Sequence, residues 1–292
     1  MQRVAVVLHP ARDVGAAVEV IRQWAADAGI ELVQLRAKDD RHRVAPDGDV
    51  AACDLVAAVG GDGTTLTALH VAAATNTPVL GVAYGSLGAL TTVPAGELRA
   101  RLDQFAAGEW RRRGLPAIAV HAGEDPSKRA INDLVLVRRG GGQLIVAVST
   151  GSDLYARVAG DGVVVATPLG SSAYSMAAGG PLLFPDSEAF VCTPLAMHGG
   201  CAPPLVLPTA QGVSLEVDPG YWGFDAEIDG HRVESHSTRF DLAVEPGYAT
   251  LVEFDDDHGG LQGLRERGLI ADSPRVLARD SGAPHLVAPS HA

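Results

Sequence analysis

Over the first 95 residues, segments whose apolar pattern is typical of strands alternate with segments whose apolar spacing is helical. Four short runs are typical of buried strands, at residues 3–8, 31–35, 55–59 and 79–82. Segments with helical spacing of their apolar residues lie between some of them, at residues 13–28 and 64–74. Because strands that alternate with helices form parallel sheets, the pattern predicts a doubly wound, Rossmann-like α/β domain over residues 1–95. Ligands of such sheets bind at the carboxyl ends of the strands.

The pattern changes after residue 95. Residues 96–107 predict one helix, and short β-like runs separated by turn residues follow as far as residue 254. We therefore expect a β-rich, sandwich-like domain over residues 96–254, so that the fold class is α/β plus all-β. Part of residues 255–275 is predicted to rejoin the first domain. Residues 276–292 are rich in Pro, Ser and Ala and are predicted to form a flexible tail.

Composition and charge exclude several classes of protein. The 292 residues carry a formal net charge of −12, which argues against a nucleic-acid or anionic-membrane partner. No uncharged apolar run reaches the roughly 18 residues that a membrane-spanning helix needs. Three scattered cysteines without metal-ligand spacing predict reduced thiols in the cytoplasm. Only two lysines occur, Lys38 and Lys128, so a P-loop of the GxxxxGK[ST] type is excluded.

A glycine-rich turn, Gly60-Gly61-Asp62-Gly63, follows the third predicted strand, and a second such turn follows the fourth at residues 84–90. Backbone N–H groups at these positions suit a phosphate. Asp62 is unexpected there, because a carboxylate repels phosphate. The residues alone leave two roles open. Asp62 either caps the following helix through the amide of Thr64 or Thr65, or it accepts a proton from a hydroxyl or meets phosphate through a cation.

A second dense stretch covers residues 159–181. Alone, Asp161-Gly162 favours a hairpin turn. Residues 163–166 predict a buried strand, followed by a turn into a helix that Ser171 or Ser172 can cap. The run of arginines at 111–113 favours a solvated turn over a phosphate clamp. A Rossmann dehydrogenase is excluded, because no G-x-G-x-x-G follows the first strand.

These motifs, taken in order, resemble the NAD kinase family over about residues 1–270. Gly-Gly-Asp-Gly alone is also similar to phosphofructokinases and lipid kinases, whereas the long second motif is more specific. The matching stretches are Gly60-Gly61-Asp62-Gly63-Thr64, Gly85-Ser86-Leu87-Gly88, Asn132-Asp133, Asp161-Gly162, Thr167-Pro168-Leu169-Gly170-Ser171-Ser172-Ala173-Tyr174, Ala178-Gly179-Gly180-Pro181, Thr193-Pro194, His198 and Asp229-Gly230.

The resemblance implies a cleft between the two domains, and it implies an activity. The terminal phosphoryl of ATP, or of polyphosphate, is transferred to the 2′-hydroxyl of NAD to give NADP, with Mg²⁺ held mainly through phosphates. A homodimer or homotetramer is also implied. By position, Asp62 is the general base. The phosphate loop comprises Gly60, Gly61, Gly63 and Thr64, and the substrate-binding residues are Gly85, Leu87, Gly88, Asn132, Asp133, Asp161, Thr167, Ser172, Ala173 and Tyr174.

The chain departs from the family pattern mostly on the acceptor side, at Ala83, Ala89, Asp133, Leu169 and Pro203. Asp133 replaces a Glu, which withdraws the carboxylate by roughly 1.3–1.5 Å. Two alternatives therefore stay open. One is a kinase of the same superfamily that phosphorylates another hydroxyl, of a nucleoside, sugar or lipid. The other is a non-catalytic NAD(P)-binding paralogue, against which the retained Asp62 argues.

Overall fold

The computed structural model of this protein describes residues 1–35, 43–85, 87–255 and 260–281. The helices are α1 (Gly15–Ala28), α2 (Asp62–Ala73), α3 (Leu98–Ala107), α4 (Tyr174–Ala177), α5 (Gly260–Glu266) and α6 (Pro274–Asp280). The strands are β1 (Arg3–Leu8), β2 (Glu31–Gln34), β3 (Leu55–Gly60), β4 (Val79–Ala83), β5 (Val93–Pro94), β6 (Arg111–His121), β7 (Lys128–Ala130), β8 (Asp133–Arg138), β9 (Leu144–Thr150), β10 (Asp153–Gly160), β11 (Gly162–Ala166), β12 (Ala189–Leu195), β13 (Leu205–Pro208), β14 (Val213–Asp218), β15 (Phe224–Ile228), β16 (His231–Val233) and β17 (Arg239–Glu253).

The first domain is a parallel sheet covered on both faces, as predicted. Its strands lie in the order β2-β1-β3-β4. Val4 and Val6 pack with α1 and α3 on one face, and Ala5 and Val7 pack with α2 on the other. Burial of both faces explains why these strands are continuous apolar runs. The core shared with α1 reaches Phe105 on α3, which lies beyond the predicted domain limit at residue 95.

One long strand joins the two domains. β17 pairs antiparallel with β6 along most of its length, and on its other side it pairs antiparallel with β14 near its start and in parallel with β4 near its end. The sheet therefore continues from the α/β domain into the β-rich domain and has eleven strands in the described part of the chain. Two of the short β-like runs of the sequence, at 240–245 and 250–254, form this one strand. The Pro-Gly segment between them makes an irregularity between Glu245 and Ala249 rather than a reversal.

The second domain is a sandwich. A six-stranded antiparallel sheet, in the order β13-β12-β11-β8-β15-β16, packs on strands of the large sheet that include β6, β9, β14 and β17. Apolar side chains of both layers form a shared core, among them Ile118, Leu136, Val146, Val163 and Phe240. The expected fold class, α/β plus a β-rich sandwich, is confirmed.

Asp161-Gly162 does not form a hairpin. β10 belongs to the large sheet and β11 to the six-stranded sheet, so the dipeptide carries the chain from one layer to the other. Gly162 has φ 148°, and a Cβ there would lie 1.8 Å from the carbonyl oxygen of Leu136. The hairpin interpretation was wrong because the crossing needs a glycine for close approach between strands, a demand that local sequence does not reveal.

The C-terminal segment begins with α5. Residues 274–280 of the predicted tail region form α6, and residues 282–292 lie outside the described part of the chain. Within the described residues, none of the helices combines the length and the apolar character needed to cross a membrane.

Candidate active site

The Gly60–Gly63 turn connects β3 directly to α2. Gly60 ends the strand, Gly61 precedes the helix, and the amides of Thr64 and Thr65 donate to the carbonyl oxygen of Gly61. A Cβ on Gly60 would lie 2.4 Å from Oγ1 of Thr64, so only glycine allows this threonine to pack against the turn. The turn thus lies at the carboxyl edge of the parallel sheet, where the sequence placed it.

Asp62 contacts the second glycine turn instead of capping its own helix. Its Oδ2 accepts the N–H of Ala89 (2.8 Å), and its Oδ1 accepts the N–H of Leu90 (3.0 Å) and both the N–H and the hydroxyl of Thr91 (3.2 and 3.1 Å). No side-chain cap bond is formed at the start of α2. Of the two roles left open above, the helix cap is therefore wrong.

Gly88 makes this contact possible. A Cβ at this position would lie 2.0 Å from Oδ1 of Asp62 and 2.6 Å from Oδ2. The carboxylate therefore lies directly against the backbone of Gly88. The two glycine turns are complementary: one supplies the carboxylate and the other supplies both the space and the donors.

A cleft of about 910 Å³ opens beside this contact. It is lined by four predicted site residues, Gly61, Asp62, Leu87 and Gly88. A smaller cavity of about 40 Å³ shares Gly88 with it and is also lined by Ser172 of the second motif. The fold thus brings the phosphate loop, the second glycine turn and the 167–172 turn together. Further lining residues of the large cleft are Arg12, Thr91, Thr92, Pro94, Glu97, Arg101, Gly263, Glu266, Arg267 and Leu269.

The second motif packs on Asn132. The N–H of Thr167 donates to the carbonyl oxygen of Asn132 (2.9 Å), and its hydroxyl donates to that of Ile131 (2.7 Å). A Cβ on Gly170 would lie 2.1 Å from the Asn132 oxygen. Thr167 and Gly170 therefore hold the Asn132-Asp133 pair at the start of β8.

The serine hydroxyls of the second motif serve the turn itself. Ser171 donates to the carbonyl oxygen of Pro168 (2.7 Å) and accepts the N–H of Leu183 (3.0 Å), and Ser172 donates to Leu169 (3.0 Å). Neither caps a helix. The predicted serine cap is wrong, because these hydroxyls reach back to carbonyls three residues earlier.

Asp229 connects the two domains at this site. Its carboxylate accepts from the amides of Ile131 (3.0 Å), Asn132 (2.7 Å) and Asp133 (3.1 Å), and from Nε2 of His70 on α2 (2.7 Å). Its side chain is 2% exposed. The helix that begins at Asp62 is thereby fixed to the segment that carries Asn132 and Asp133. The sequence matched Asp229-Gly230 to the family but assigned no role to Asp229 or His70.

Asp133 is buried at the same place, with 6% of its surface exposed. No donor in the described part of the chain lies within hydrogen-bond distance of its carboxyl oxygens, although its backbone N–H is bound by Asp229. Burial, and then the negative charges of Asp229 and Glu227, raise the pKa of Asp133 to about 7. Near neutral pH this carboxyl is therefore a proton donor as often as an acceptor.

Asp161 lies at the other end of the β8–β11 pair. The register runs from Asp133↔Ala166 to Val137↔Gly162, which separates the two ends by about 13 Å. Asp161 accepts a hydrogen bond from Nε of Arg138 (2.6 Å). Ala173 and Tyr174 are exposed beyond the turn. The assignment of these three residues to substrate binding stays a prediction.

The sequence interpretation missed Arg12, Thr91 and Arg267. Thr91 follows the second glycine turn at a position that no motif marked. Arg267 is about 200 residues from Asp62 in sequence and reaches the cleft only because α5 packs there. Paired hydroxyls at Thr91-Thr92, directly after the second glycine turn, were the one local signal.

The chain matches two family models, which together cover most of its length. The ATP-NAD kinase N-terminal domain matches residues 11–110, and the ATP-NAD kinase C-terminal domain matches residues 131–252. These boundaries place α3 with the first domain, in agreement with its packing on α1.

Curated relatives agree with the family models. A NAD kinase of Heliobacterium modesticaldum is 35% identical over 182 residues, which cover 61% of this chain and 64% of that protein. A NAD kinase of Wolinella succinogenes is 33% identical over 223 residues, 73% of this chain and 75% of the relative. A more distant NAD kinase of Clostridium beijerinckii is 26% identical over 265 residues, 88% and 92% of the two chains.

Solved structures show the same fold. Yeast NADH kinase, crystallised with NADH, has a TM-score of 0.77 at 19% identity and covers 94% of this chain and 90% of its own. A NAD kinase from Archaeoglobus fulgidus in complex with ATP has a TM-score of 0.73 at 22% identity, with 92% and 100% covered. With both family models matched in order and a relative that is 33% identical over 73% of the chain, this chain belongs to the NAD kinase family of phosphotransferases that act on a hydroxyl group.

Proposed function

We propose that this protein transfers the terminal phosphoryl of ATP to the 2′-hydroxyl of NAD, with Asp62 as the general base. The observation that carries the proposal is the position of Asp62. Its carboxylate is held at the cleft where the phosphate loop, the second glycine turn and the 167–172 turn meet. A ribose hydroxyl is a weak nucleophile, so phosphoryl transfer to it requires a positioned proton acceptor and aligned phosphates.

Oδ2 of Asp62 is the atom that accepts the proton. A carboxylate oxygen has about two acceptor sites. Oδ1 already receives three donors from Leu90 and Thr91, whereas Oδ2 receives only the N–H of Ala89. The second site of Oδ2 is therefore available to a hydroxyl. The four bonds also fix the carboxylate, so that little ordering is needed when the acceptor binds.

Mg²⁺ would be held mainly by the donor phosphates, with the Asp62 carboxylate at the same cleft. Among the described residues, no three acidic, histidine or cysteine side chains are grouped so that they could enclose a metal ion. This donor set fits Mg²⁺, which commonly takes one or two carboxylates together with waters and substrate phosphates. When bound, the ion neutralises the charge that develops on the transferred phosphoryl.

NAD lies along the second domain, with Asn132, Asp133 and Thr167 near its reacting ribose and Asp161 near its far end. The hydrogen bonds that join Thr167 to Asn132 and the 13 Å span of the β8–β11 pair support this arrangement. ATP is preferred here as donor over polyphosphate because one of the structural relatives was solved in complex with ATP.

We further propose a homo-oligomer in a reducing cytoplasm. All three cysteines are unpaired thiols, and one of them, Cys192, is buried. Tyr221 (91% exposed) and Trp222 (60% exposed) present an apolar surface of the kind that subunit contacts cover. Light scattering on the purified protein gives the mass; a monomer at all concentrations would contradict the oligomer.

The test of the function is NADP formation from ATP, Mg²⁺ and NAD by the purified protein. Asp62→Asn should lower kcat by about 10²- to 10⁴-fold, the usual contribution of a general base. Its melting temperature must be measured in parallel, because the Asn amide would face the N–H of Ala89 and destabilise the turn. Wild-type protein that is folded and forms no NADP above the Asp62→Asn background would refute the assignment.

A kinase for another small hydroxyl compound is the second candidate. It is favoured by the acceptor side of the cleft, where Asp133 is buried without a donor and Ala89 lies beside Asp62. A screen of nucleosides and sugars for ATP consumption separates the two. If one of them is phosphorylated with a higher kcat/KM than NAD, the second candidate replaces the first.

A further inference from the structure

Arg267 lies directly after α5 and faces the cleft that contains Asp62. Its Nε donates to the carbonyl oxygen of Gly263 (3.0 Å), one turn earlier in the same helix. Leu264, which is 3% exposed, anchors α5, and Gly268 ends it with φ 73°. The stem of Arg267 is thereby fixed, and its two terminal nitrogens remain for other contacts.

The charge of Arg267 is not neutralised within the described residues, because no carboxylate there lies within ion-pair distance of its guanidinium. The Asp62 carboxylate is nearby, but its hydrogen bonds come from the 89–91 backbone and Thr91. Arg267 is half-buried, and burial followed by the charge of Arg113 lowers its pKa, against the opposite effect of Asp62. A partly buried cation without a carboxylate partner is costly unless an anion binds to it.

Two more arginines lie around the same space. Arg12 lines the large cleft; its Nη1 donates to the carbonyl oxygen of Tyr84 (2.8 Å), and its N–H donates to Nδ1 of His9 (3.0 Å). Arg113 lines the adjoining small cavity together with Arg267. In the described part of the chain, neither Arg12 nor Arg113 forms an ion pair with a carboxylate.

The run at 111–113 forms the start of β6 and not the expected turn, and its members have different partners. Arg111 pairs with Asp255 (3.2 Å), and Arg112 donates to the carbonyl oxygen of Asn76 (3.1 Å). Arg113 faces the cavity. The acidic residues of the cleft are engaged as well, since Glu97 pairs with Arg101 (3.0 Å).

We propose that Arg267, flanked by Arg12 and Arg113, binds the phosphate chain of the donor above the Gly60–Gly63 turn. The proposal rests on the proposed function and names the side chains that hold its donor. A guanidinium presents a planar fork of donors that matches phosphate oxygens and adds charge to each hydrogen bond. In this acidic protein, these three side chains provide the local positive charge that such a site requires.

The experiment measures binding and turnover separately. Calorimetry gives the affinity of the full chain for inorganic tripolyphosphate and for ATP, and steady-state assays give the KM for each substrate. Arg267→Gln is compared with Arg265→Gln, a matched control two residues earlier in α5, whose guanidinium pairs with Asp272 (2.7 Å) and does not line the cleft. Arg113→Gln is compared in the same way with Arg112→Gln.

Arg267→Gln should weaken both phosphate ligands by about 10- to 100-fold and raise the KM for ATP, with the KM for NAD within about 2-fold of wild type. Arg265→Gln should change either affinity by less than about 2-fold. The affinity of Arg267→Lys for both phosphate ligands should lie between that of wild type and that of Arg267→Gln, because lysine keeps the charge but lacks the planar fork of donors. Raising the NaCl concentration should weaken tripolyphosphate binding to wild type more than to Arg267→Gln.

Equal tripolyphosphate affinity in wild type and Arg267→Gln would overturn the proposal. A loss of affinity of the same size in Arg265→Gln and Arg267→Gln would also overturn it. Wild-type protein that binds neither tripolyphosphate nor ATP would overturn it too. The proposed function fails in a different way, when wild type binds ATP and yet forms no NADP.

Discussion

Asp133→Asn should stabilise the protein at alkaline pH and change little at acidic pH. The wild-type carboxyl has a pKa of about 7 in the folded protein, against an ordinary value of 3.8, because it is buried next to Asp229 and Glu227. Between these two values the folded state keeps a proton that the unfolded state has lost. The free energy of unfolding therefore falls as the pH rises through this range, and the contribution present below pH 4 is lost above pH 7.

The size of this effect follows from the shift. A rise from 3.8 to about 7 corresponds to about 4 kcal/mol between pH 4 and pH 8. Water that enters around the ionised carboxylate would reduce it, so we expect about 2–4 kcal/mol. Asn has the same shape and carries no charge, so the variant should lack this dependence on pH.

The assay is urea unfolding of both proteins at pH 5 and pH 8, followed by tryptophan fluorescence. Subtracting the unfolding free energy of the variant from that of the wild type removes the contributions of the other ionisable groups. The difference in unfolding free energy between the two proteins should grow by about 1.5–2.5 kcal/mol from pH 5 to pH 8, in favour of the variant, because part of the effect already occurs below pH 5. A difference that stays constant with pH would refute the reasoning, because it would show that Asp133 is ionised in both states.

The other predictions concern the two contacts that hold the site together. Gly88→Ala should lower kcat by at least about 100-fold in a protein that still folds, because the added Cβ would lie 2.0 Å from Oδ1 of Asp62; Gly96→Ala, where nothing lies within 4 Å, is the control. Equal kcat in both variants would contradict this. Asp229→Ala should destabilise the protein by about 3 kcal/mol or more, since three amides lose their acceptor, and His70→Gln should cost about 1 kcal/mol. Denaturant unfolding measures the free energy of unfolding of both variants. If Asp229→Ala and His70→Gln lost similar amounts, the three amides would not depend on the Asp229 carboxylate as argued.

Local patterns predicted the elements of the first domain well. The strands at 3–8 and 55–59 and the helix at 13–28 correspond to β1, β3 and α1. These segments succeed because apolar periodicity records which face of an element is buried. The glycine turn at residue 60 succeeds for a similar reason, since a strand that runs through glycines into a helix has few conformations available.

Predictions from local sequence patterns failed where the conformation of a residue depends on contacts with residues that are distant in sequence. Asp161-Gly162 has the composition of a hairpin turn, yet Gly162 is required by a carbonyl of β8, the neighbouring strand in the sheet, which is about 25 residues earlier in the chain. Residues 246–248 have the composition of a turn, yet pairing with β6 and β4 keeps β17 continuous through them. In each case hydrogen bonds from neighbouring strands outweigh the local preference.

For Asp62, the sequence determined the position, at the carboxyl edge of a parallel sheet within a glycine turn. Together with the second motif it also indicated the family. The tertiary structure decided what the carboxylate contacts. Loop 88–91 supplies four donors and leaves one side of Oδ2 available, and α5 places Arg267 at the same cleft from the far end of the chain. The physical reason is that the periodicity of apolar residues and the composition of turns report the conformation of a few neighbouring residues. Hydrogen bonds and charges at a site join segments that only the folded chain brings together.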